Sequence, residues 1–502
     1  MTGEIQQILS EANIPALSLA VVERGKVVCR YAVGSSVSPE TRFQVCCLGK
    51  PVTALAMLLL EEQGRLHLDD PACRYLPANY FPRPSATARS VTIRHLLSHA
   101  AGVPRGSFRR EERGDEEYAR ELHDSEFVYP PGARYKFSNL GYFLCGAIIE
   151  RVAETSFRAF IREQIFRALG MDSASFSPDA DIAPGHSRGE YYALVHRDDA
   201  LKTAPCFPLP AAAGGFYCTA EDYARFLAAV LGAGDGPVTA RMRDQFCLAH
   251  MERAGKPGSG GGLGFQVQTS PEGVRLRHSG SNSGYGALVV GDACRAIGAV
   301  AFCNRSNAYS DLTRVLEVAT GGSLARDPAQ PLDRFSGSFA RGKESLVMRT
   351  NGHGLWGKLG EMRFELRRKS AKSFIPEDGP FREYVMRFSF WDGRARACSA
   401  GPNYFSGDGA PVCGETPAPW RQAVGQYVCP DYATAEIFVR RNRLHCLCGP
   451  LHETQLQPLA PDIYRQKDGL FEGEPLRFLR SGAGRITSLE MGGMAFARLE
   501  RL

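Results

Sequence analysis

Two residues near the start of the chain have the types and spacing of a covalent catalyst. In FQVCCLGKPVTALAMLLLEEQG, Cys47 and Lys50 stand at i and i+3 where helical periodicity begins, so their side chains share one face. A thiol at a helix start beside an ammonium ionises more readily than an isolated one, which makes Cys47 a candidate thiolate nucleophile. Other chemistry-bearing patterns are weaker. His95 and His99 sit at i and i+4 in TIRHLLSH, the spacing of a metal pair. Cys446 and Cys448 flank Leu447 on an alternating run, which puts both thiols on one face, but no partners stand at finger spacing. The chain has fifteen cysteines, an odd number without a disulfide framework. Several lie in apolar runs, such as Cys145 in YFLCGAII and Cys303 in VAFCN, and read as reduced, buried small hydrophobes. The glycine run GSGGGLGF (258–265) lacks the Lys-Ser/Thr of a phosphate cradle and reads as a flexible loop beside the site. No metal and no cofactor are expected.

The elements that must position Cys47 and Lys50 follow from periodicity. MTGEIQQILSEA reads as an amphipathic helix, and residues 16–34 alternate around a Glu-Arg-Gly turn as a β-hairpin. PVTALAMLLLEEQG (51–64) reads as a helix closed by Gly64. Further helices are expected at 92–99, 139–153 and 309–319, and strands at 264–268, 286–291 and 297–303. Helices inserted between an N-terminal hairpin and a C-terminal group of strands predict an α+β domain on an antiparallel sheet.

At 502 residues the chain exceeds one hydrophobic core. Composition shifts near 321–331 (GGSLARDPAQP), beyond which short strands and turns replace helical periodicity. Gly337-Ser338-Phe339 returns as Gly425-Gln426-Tyr427, and Asn351-Gly352 with Leu355 is echoed by Asn442-Arg443-Leu444. This weak repeat predicts two small β-barrel-like modules meeting near GETPAPW (414–420). The expected domains are 1–325, 333–415 and 418–502. The net charge of +6, from 60 basic and 54 acidic residues, is spread along the chain and gives no nucleic-acid footprint. No apolar run approaches 18 residues, and the N-terminus lacks a signal-peptide pattern, so a reducing cytoplasm and no membrane partner are expected.

Four ordered blocks carry a resemblance. The stretch from Phe43 to Pro77 resembles the opening of the serine β-lactamase and penicillin-binding-protein family, in which a nucleophilic serine, two residues and a lysine begin this helix. TIRHLLSHAAGVP (92–104), AAAGGFYCTAEDYARFL (211–227) and RHSGSNSGYGALVV (277–290) are similar to later hallmarks of its low-molecular-weight peptidase and esterase branch. Two positions depart from the family. Cys47 stands where the family has serine, and the Tyr-x-Asn motif is here Phe137-Ser138-Asn139, without the hydroxyl commonly assigned as proton shuttle. Tyr135 and Tyr142 are nearby but off the motif position and are expected to pack. Serine needs a strong local base, whereas cysteine can ionise beside Lys50 without one, so the two departures are mutually consistent.

The resemblance implies a β-lactamase-like catalytic domain followed by two barrels, as in the D-aminopeptidase and D-stereospecific esterase group. It implies roles for Cys47, Lys50, Asn139 and His278, with His278-Ser279-Gly280 as the third motif. Backbone N–H groups of Cys47 and Ser281 would form the oxyanion hole, with Phe137 and Gly280 lining the substrate. His95 and His99 fall in a block shared by a metal-free family and are expected to be structural. Without the tyrosine, only Lys50 or His278 remains to protonate a leaving group, which favours esters or thioesters over peptides. Three activities stay open. One is hydrolysis of a small peptide-like amide or ester with D-amino-acid character. Another is acyl transfer or peptide cyclisation from a (thio)ester, and the last is binding of a peptide or cell-wall fragment without turnover.

Overall fold

A computed structural model describes residues 2–34, 37–106, 114–177, 182–183, 186–187, 202–203, 210–232, 236–253, 256–282, 284–324, 331–351, 354–370, 373–376, 378–381, 386–391, 393–400, 403–407, 420–429, 433–440, 442–448, 452–469 and 471–499. Residues 325–330 of the expected linker and 414–419 of the expected barrel junction lie outside them.

The chain divides into two units, one holding 1–187 and 202–325 and the other 326–502. The first is built on an eight-stranded antiparallel sheet. Its strands are β1 (Ala16–Glu23), β2 (Lys26–Gly34), β3 (Met251–Arg253), β4 (Lys256–Gly261), β5 (Gln266–Ser270), β6 (Gly273–Asn282), β7 (Tyr285–Asp292) and β8 (Ile297–Cys303), in the order β2-β1-β8-β7-β6-β5-β4-β3. The hairpin turns at Arg24 and Gly25, both at positive φ. The first strand then pairs with the last, Leu17 opposite Cys303, and Ala16 N–H donates to Asn304 Oδ1 across 288 residues (2.8 Å).

Side-chain alternation in β1 explains its apolar run. Leu17, Leu19 and Val21 face a cluster with Ile5, Ile8 and Leu9 of helix α1 (Thr2–Ala12) and with Leu312, Val315 and Leu316 of a C-terminal helix, Tyr309–Ala319. Ala20 and Val22 face the larger core on the other side, which includes Leu227, Leu231 and Phe302. A strand covered on both faces shows no apolar–polar alternation in burial, and Ser18 is buried with the rest.

Helix α2 (Gly49–Glu62) follows a 3-10 turn, Cys46–Leu48, and tolerates Pro51 because it lies in the first turn. Gly64 adopts φ 70° just past its end. Helix α3 (Ile93–Leu97) is capped by Thr92, and α4 (Asn139–Ala153) by the Ser138 hydroxyl, which accepts from Gly141 N–H (2.8 Å). Two more helices, α5 (Ala211–Gly214) and α6 (Ala220–Leu231), complete the part that surrounds the site.

The second unit contains two closed eight-stranded barrels. One runs from Gly337–Arg341 to Asn403–Ser406, the other from Gly425–Cys429 to Met494–Arg498. The repeated tripeptide is the first strand of each, with Phe339 and Tyr427 both buried inside. Cys446 and Cys448 are also buried, sharing a face of one strand. Glu453 of the second barrel is buried between Arg440 and Arg387 of the first (3.3 Å to Arg387), and burial pushes the Arg387 guanidinium down to about 10.

One expectation is overturned. The glycine run is not a flexible loop: residues 256–261 form strand β4, paired to β5 with Ser259 opposite Gln268. Its glycines permit close approach, since a Cβ on Gly260 would lie 2.4 Å from Met251 O and one on Gly261 would lie 2.4 Å from Ser98 O.

Candidate active site

Cys47 and Lys50 come together at the junction of the 3-10 turn and α2. Lys50 is fully buried, while Cys47 is half-buried. An ammonium out of water costs several kcal/mol unless it is well partnered. Here Nζ donates to Asn139 Oδ1 (2.8 Å) and Ala213 O (2.9 Å), and it is also hydrogen-bonded to Cys47. The rings of Phe137 and Tyr142 stand 4.9 and 5.4 Å from Nζ, contacts worth up to about 2 kcal/mol when desolvated. Burial holds the Lys50 amine below its ordinary range, charge and hydrogen bonding from Cys47 push it back up, and Arg105 pushes it down.

The carbonyl of Ala213 reaches Nζ because two glycines let backbones touch. Gly214 has φ 145°, and a Cβ there would sit 1.8 Å from Cys46 O; a Cβ on Gly49 would sit 2.5 Å from Gly214 Cα. Cys46 itself is left-handed, at φ 52°, and is fully buried. Around this contact a two-stranded ribbon pairs Phe43–Gln44 with Tyr217–Cys218, and the Tyr223 hydroxyl donates to Leu48 O (2.8 Å).

The second motif is clamped by the block at 99–105. Ser138 N–H donates to His99 Nδ1 (3.1 Å), Lys136 N–H to His99 O (2.6 Å) and Asn139 N–H to Arg105 O (3.0 Å). The His99 ring lies 4.7 Å from that of Phe137 and 5.2 Å from that of Tyr142. The expected helix over 92–99 stops at Leu97, and His99 turns left-handed at φ 58°, off the face that His95 occupies. His95 Nδ1 accepts the Thr92 N–H as part of a capping box. Among the described residues no cluster of three or more His, Cys, Asp or Glu could hold a metal. Tyr142 is buried with its hydroxyl on Leu97 O (2.7 Å), and Tyr135 packs edge-on to His99.

The third motif lies on β6. Strand β5 ends with Gln266 opposite Arg277, so residues 278–282 pair with β7 alone. The two-residue turn at 271–272 is closed by Ser270 and Gly273, which makes the odd-numbered residues of β6 those whose backbone groups face β5. Past Arg277 the same alternation aims Ser279 and Ser281 at the open edge. Gly280 packs on the Cys46–Leu48 turn, where a Cβ would meet Cys46 Cβ at 2.6 Å and Cys47 N at 2.7 Å. The Ser281 hydroxyl donates to Tyr285 O (3.3 Å) and accepts from Asn307 N–H (3.0 Å).

His278 is buried, and burial followed by the charge of Lys50 pushes its imidazole down to about 3. Nδ1 accepts the Ser279 N–H (3.0 Å), while Nε2 has no hydrogen-bond partner among the described residues. His278 is therefore a neutral imidazole at ordinary pH. It does not hold the extra proton that would make it the acid considered from sequence. The residues that sequence reasoning missed are Ala213 and Gly214: the first acts through a main-chain carbonyl, and the second fell inside a similar block without an assigned role.

No described helix is long and apolar enough to cross a membrane. Residues 1–320 match the family model "Beta-lactamase". Protein flp of Staphylococcus aureus (strain MRSA252) is 28% identical over 187 residues, 34% of this chain and 37% of that protein. The chain thus spans little more than a third of that relative's length. Among solved structures, the octameric penicillin-binding protein homologue from Pyrococcus abyssi superposes with a TM-score of 0.59 at 19% identity, covering 89% of this chain and 98% of that one. A D-stereospecific amidohydrolase from Streptomyces sp. superposes with a TM-score of 0.54 at 19% identity, covering 64% and 99%.

Proposed function

The chain belongs to the β-lactamase family, and from that premise we propose that it cleaves an amide or ester bond of a small peptide-like substrate through an acyl-enzyme on Cys47. The observation that carries this reading is the environment of Lys50: one buried amine bound to Asn139, Ala213 O and the Cys47 thiol. A buried amine beside a thiol takes its proton and leaves a thiolate nucleophile. The Cys47 and Ser281 N–H groups, close to each other across Gly280, would hold the developing oxyanion, each worth about 10²–10³ in rate. Asn139 orients Lys50, and Phe137 and Gly280 line the acyl group. The likeness to a D-stereospecific amidohydrolase supports a substrate with D-amino-acid character. A thiol nucleophile has to stay reduced, which favours a reducing compartment.

Acyl transfer is the second reading, favoured by the nucleophile itself. A Cys47 acyl-enzyme is a thioester, which amines attack readily, so an amine acceptor would divert the same intermediate to transfer or cyclisation.

Intact-mass analysis with a panel of D- and L-aminoacyl esters and thioesters tests both readings. An acyl adduct is expected on the native protein and not on Cys47→Ala, and added amines will partition it between acid and amide. No adduct from any donor would leave substrate binding without turnover as the better account.

A further inference from the structure

Cys47 N–H and Ser281 N–H belong to segments far apart in the chain, so their spacing has to be set by contacts between the Cys46–Leu48 turn and β6. One contact is steric. A Cβ on Gly280 would lie 2.6 Å from Cys46 Cβ and 2.7 Å from Cys47 N, so the strand already stands at its limit of approach. Separation is opposed by a buried amide pair. Asn282 Nδ2 donates to Gln44 Oε1 (2.8 Å), with Asn282 fully buried and Gln44 2% exposed. Gln44 stands three residues before Cys47, and Asn282 directly follows Ser281. Both ends of the bond are anchored. Gln44 is paired with Tyr217 in the two-stranded ribbon, and Val45 N–H donates to Phe216 O (3.1 Å). Asn282 O accepts from the Ser306 hydroxyl (2.9 Å), which itself accepts from Gly284 N–H (2.7 Å). The buried Cys46 thiol lies between the same segments, 3.6 Å from Gln44 O and 3.9 Å from Tyr285 O.

We propose that Gln44 and Asn282 are positioning residues for the oxyanion: their buried bond holds Ser281 N–H at the distance from Cys47 N–H at which both can reach one oxygen. This goes beyond the acyl-enzyme proposed above and rests on that reading. In acylation the Cys47 proton passes to Lys50, and the thiolate sulfur forms a bond to the carbonyl carbon. The π pair of the carbonyl moves onto its oxygen, where the two N–H groups bind it. It returns to re-form the double bond as the leaving group departs with its bonding pair. Stabilisation of that oxygen requires both donors to point at one position, so it is sensitive to their spacing. Proton transfer from Cys47 to Lys50 is not, because the amine is held by Asn139 and Ala213 on other elements.

The test separates these two dependences. Gln44→Met keeps an unbranched side chain of similar length and removes the acceptor, while Asn282→Ala removes the donor. Two rates are measured at Cys47 by intact mass in the native protein and in each variant. One is acylation by D- and L-aminoacyl thioesters. The other is alkylation by iodoacetamide, in which sulfur displaces iodide and no tetrahedral oxyanion forms. Acylation is expected to fall about 10²-fold, the lower end of the loss from removing one oxyanion donor, with alkylation unchanged. Should one variant fail to fold by circular dichroism, the other decides. Acylation and alkylation falling together would overturn the inference, because the pair would then support the whole site rather than the oxyanion. Unchanged acylation in a folded variant would overturn it too. A native protein that is alkylated at Cys47 but never acylated would instead overturn the acyl-enzyme on which the inference rests.

Discussion

At the scale of single residues, the replacement of a serine by Cys47 and of a tyrosine by Phe137 makes sense as one change. The Phe137 ring stands 4.9 Å from Lys50 Nζ, so the two departures from the family lie at one site. A thiol needs no tyrosine hydroxyl, whereas a serine does. Cys47→Ser is therefore expected to lose most activity, on the order of 10²–10⁴-fold, and Phe137→Tyr added to it should restore part of the loss. Measuring kcat/KM for the four combinations on one reactive thioester gives the coupling between the sites. Effects that simply add would show that the two positions drifted independently. That Cys47 and Lys50 meet was legible in the sequence because their spacing at a helix start puts them on one face. Ala213 was not, because a main-chain carbonyl leaves no trace in residue identity. The state of His278 was not legible either, since it depends on burial and on a hydrogen bond from the backbone of its own neighbour.

At the scale of elements, precision comes from backbone contacts that glycines permit. Gly214, left-handed and packed on the Cys46 carbonyl, fixes where Ala213 O meets Nζ. Gly214→Ala has to displace α5 from the Cys46–Leu48 turn, and if Cys47 and Lys50 act as proposed, a shift of about 1 Å between them costs on the order of 10²-fold. Cys47 acylation rates should show that loss, whereas Gly236→Ala, which has open space around it, should match the native protein. Equal rates in both variants would remove the glycine contact from the account of the site. Helices with long apolar faces were the most readable elements, and 139–153 and 309–319 fall where periodicity puts them. The strand β6 and the glycine strand β4 were not readable. HSGSN and GSGG have little strand propensity of their own, and they become strands because β5 and β7 offer hydrogen bonds beside them. His99 falls outside the expected helix for a similar reason: its left-handed turn is compensated by the contacts it makes with 136–138.

At the scale of the whole molecule, the two barrels are closed and the eight-stranded sheet is open. Each barrel joins its own first and last strands, Tyr427 pairing with Arg498 and Ala340 with Ser406. We expect limited proteolysis to cut within 321–331 and to release a stable N-terminal fragment. The remainder should give a β-type circular dichroism spectrum; substantial helix in it would contradict the two-barrel description. The repeat after residue 336 was legible because a glycine and an aromatic recur at the start of each barrel, while the later strands share no residues that would reveal the closure. The eight-stranded sheet is open, but it joins residues far apart in the chain, since β1 is hydrogen-bonded to β8 and Ala16 to Asn304. During synthesis the N-terminal hairpin therefore leaves the ribosome with one side of β1 unpaired. At about 5–20 residues per second its partner, 288 residues later, follows after roughly 15–60 s. For that interval an apolar strand has an unsatisfied edge, the condition under which nascent chains pair with each other and chaperones are needed. The turn that carries Cys47 is thus made long before the strand that completes its supporting sheet, Ile297–Cys303.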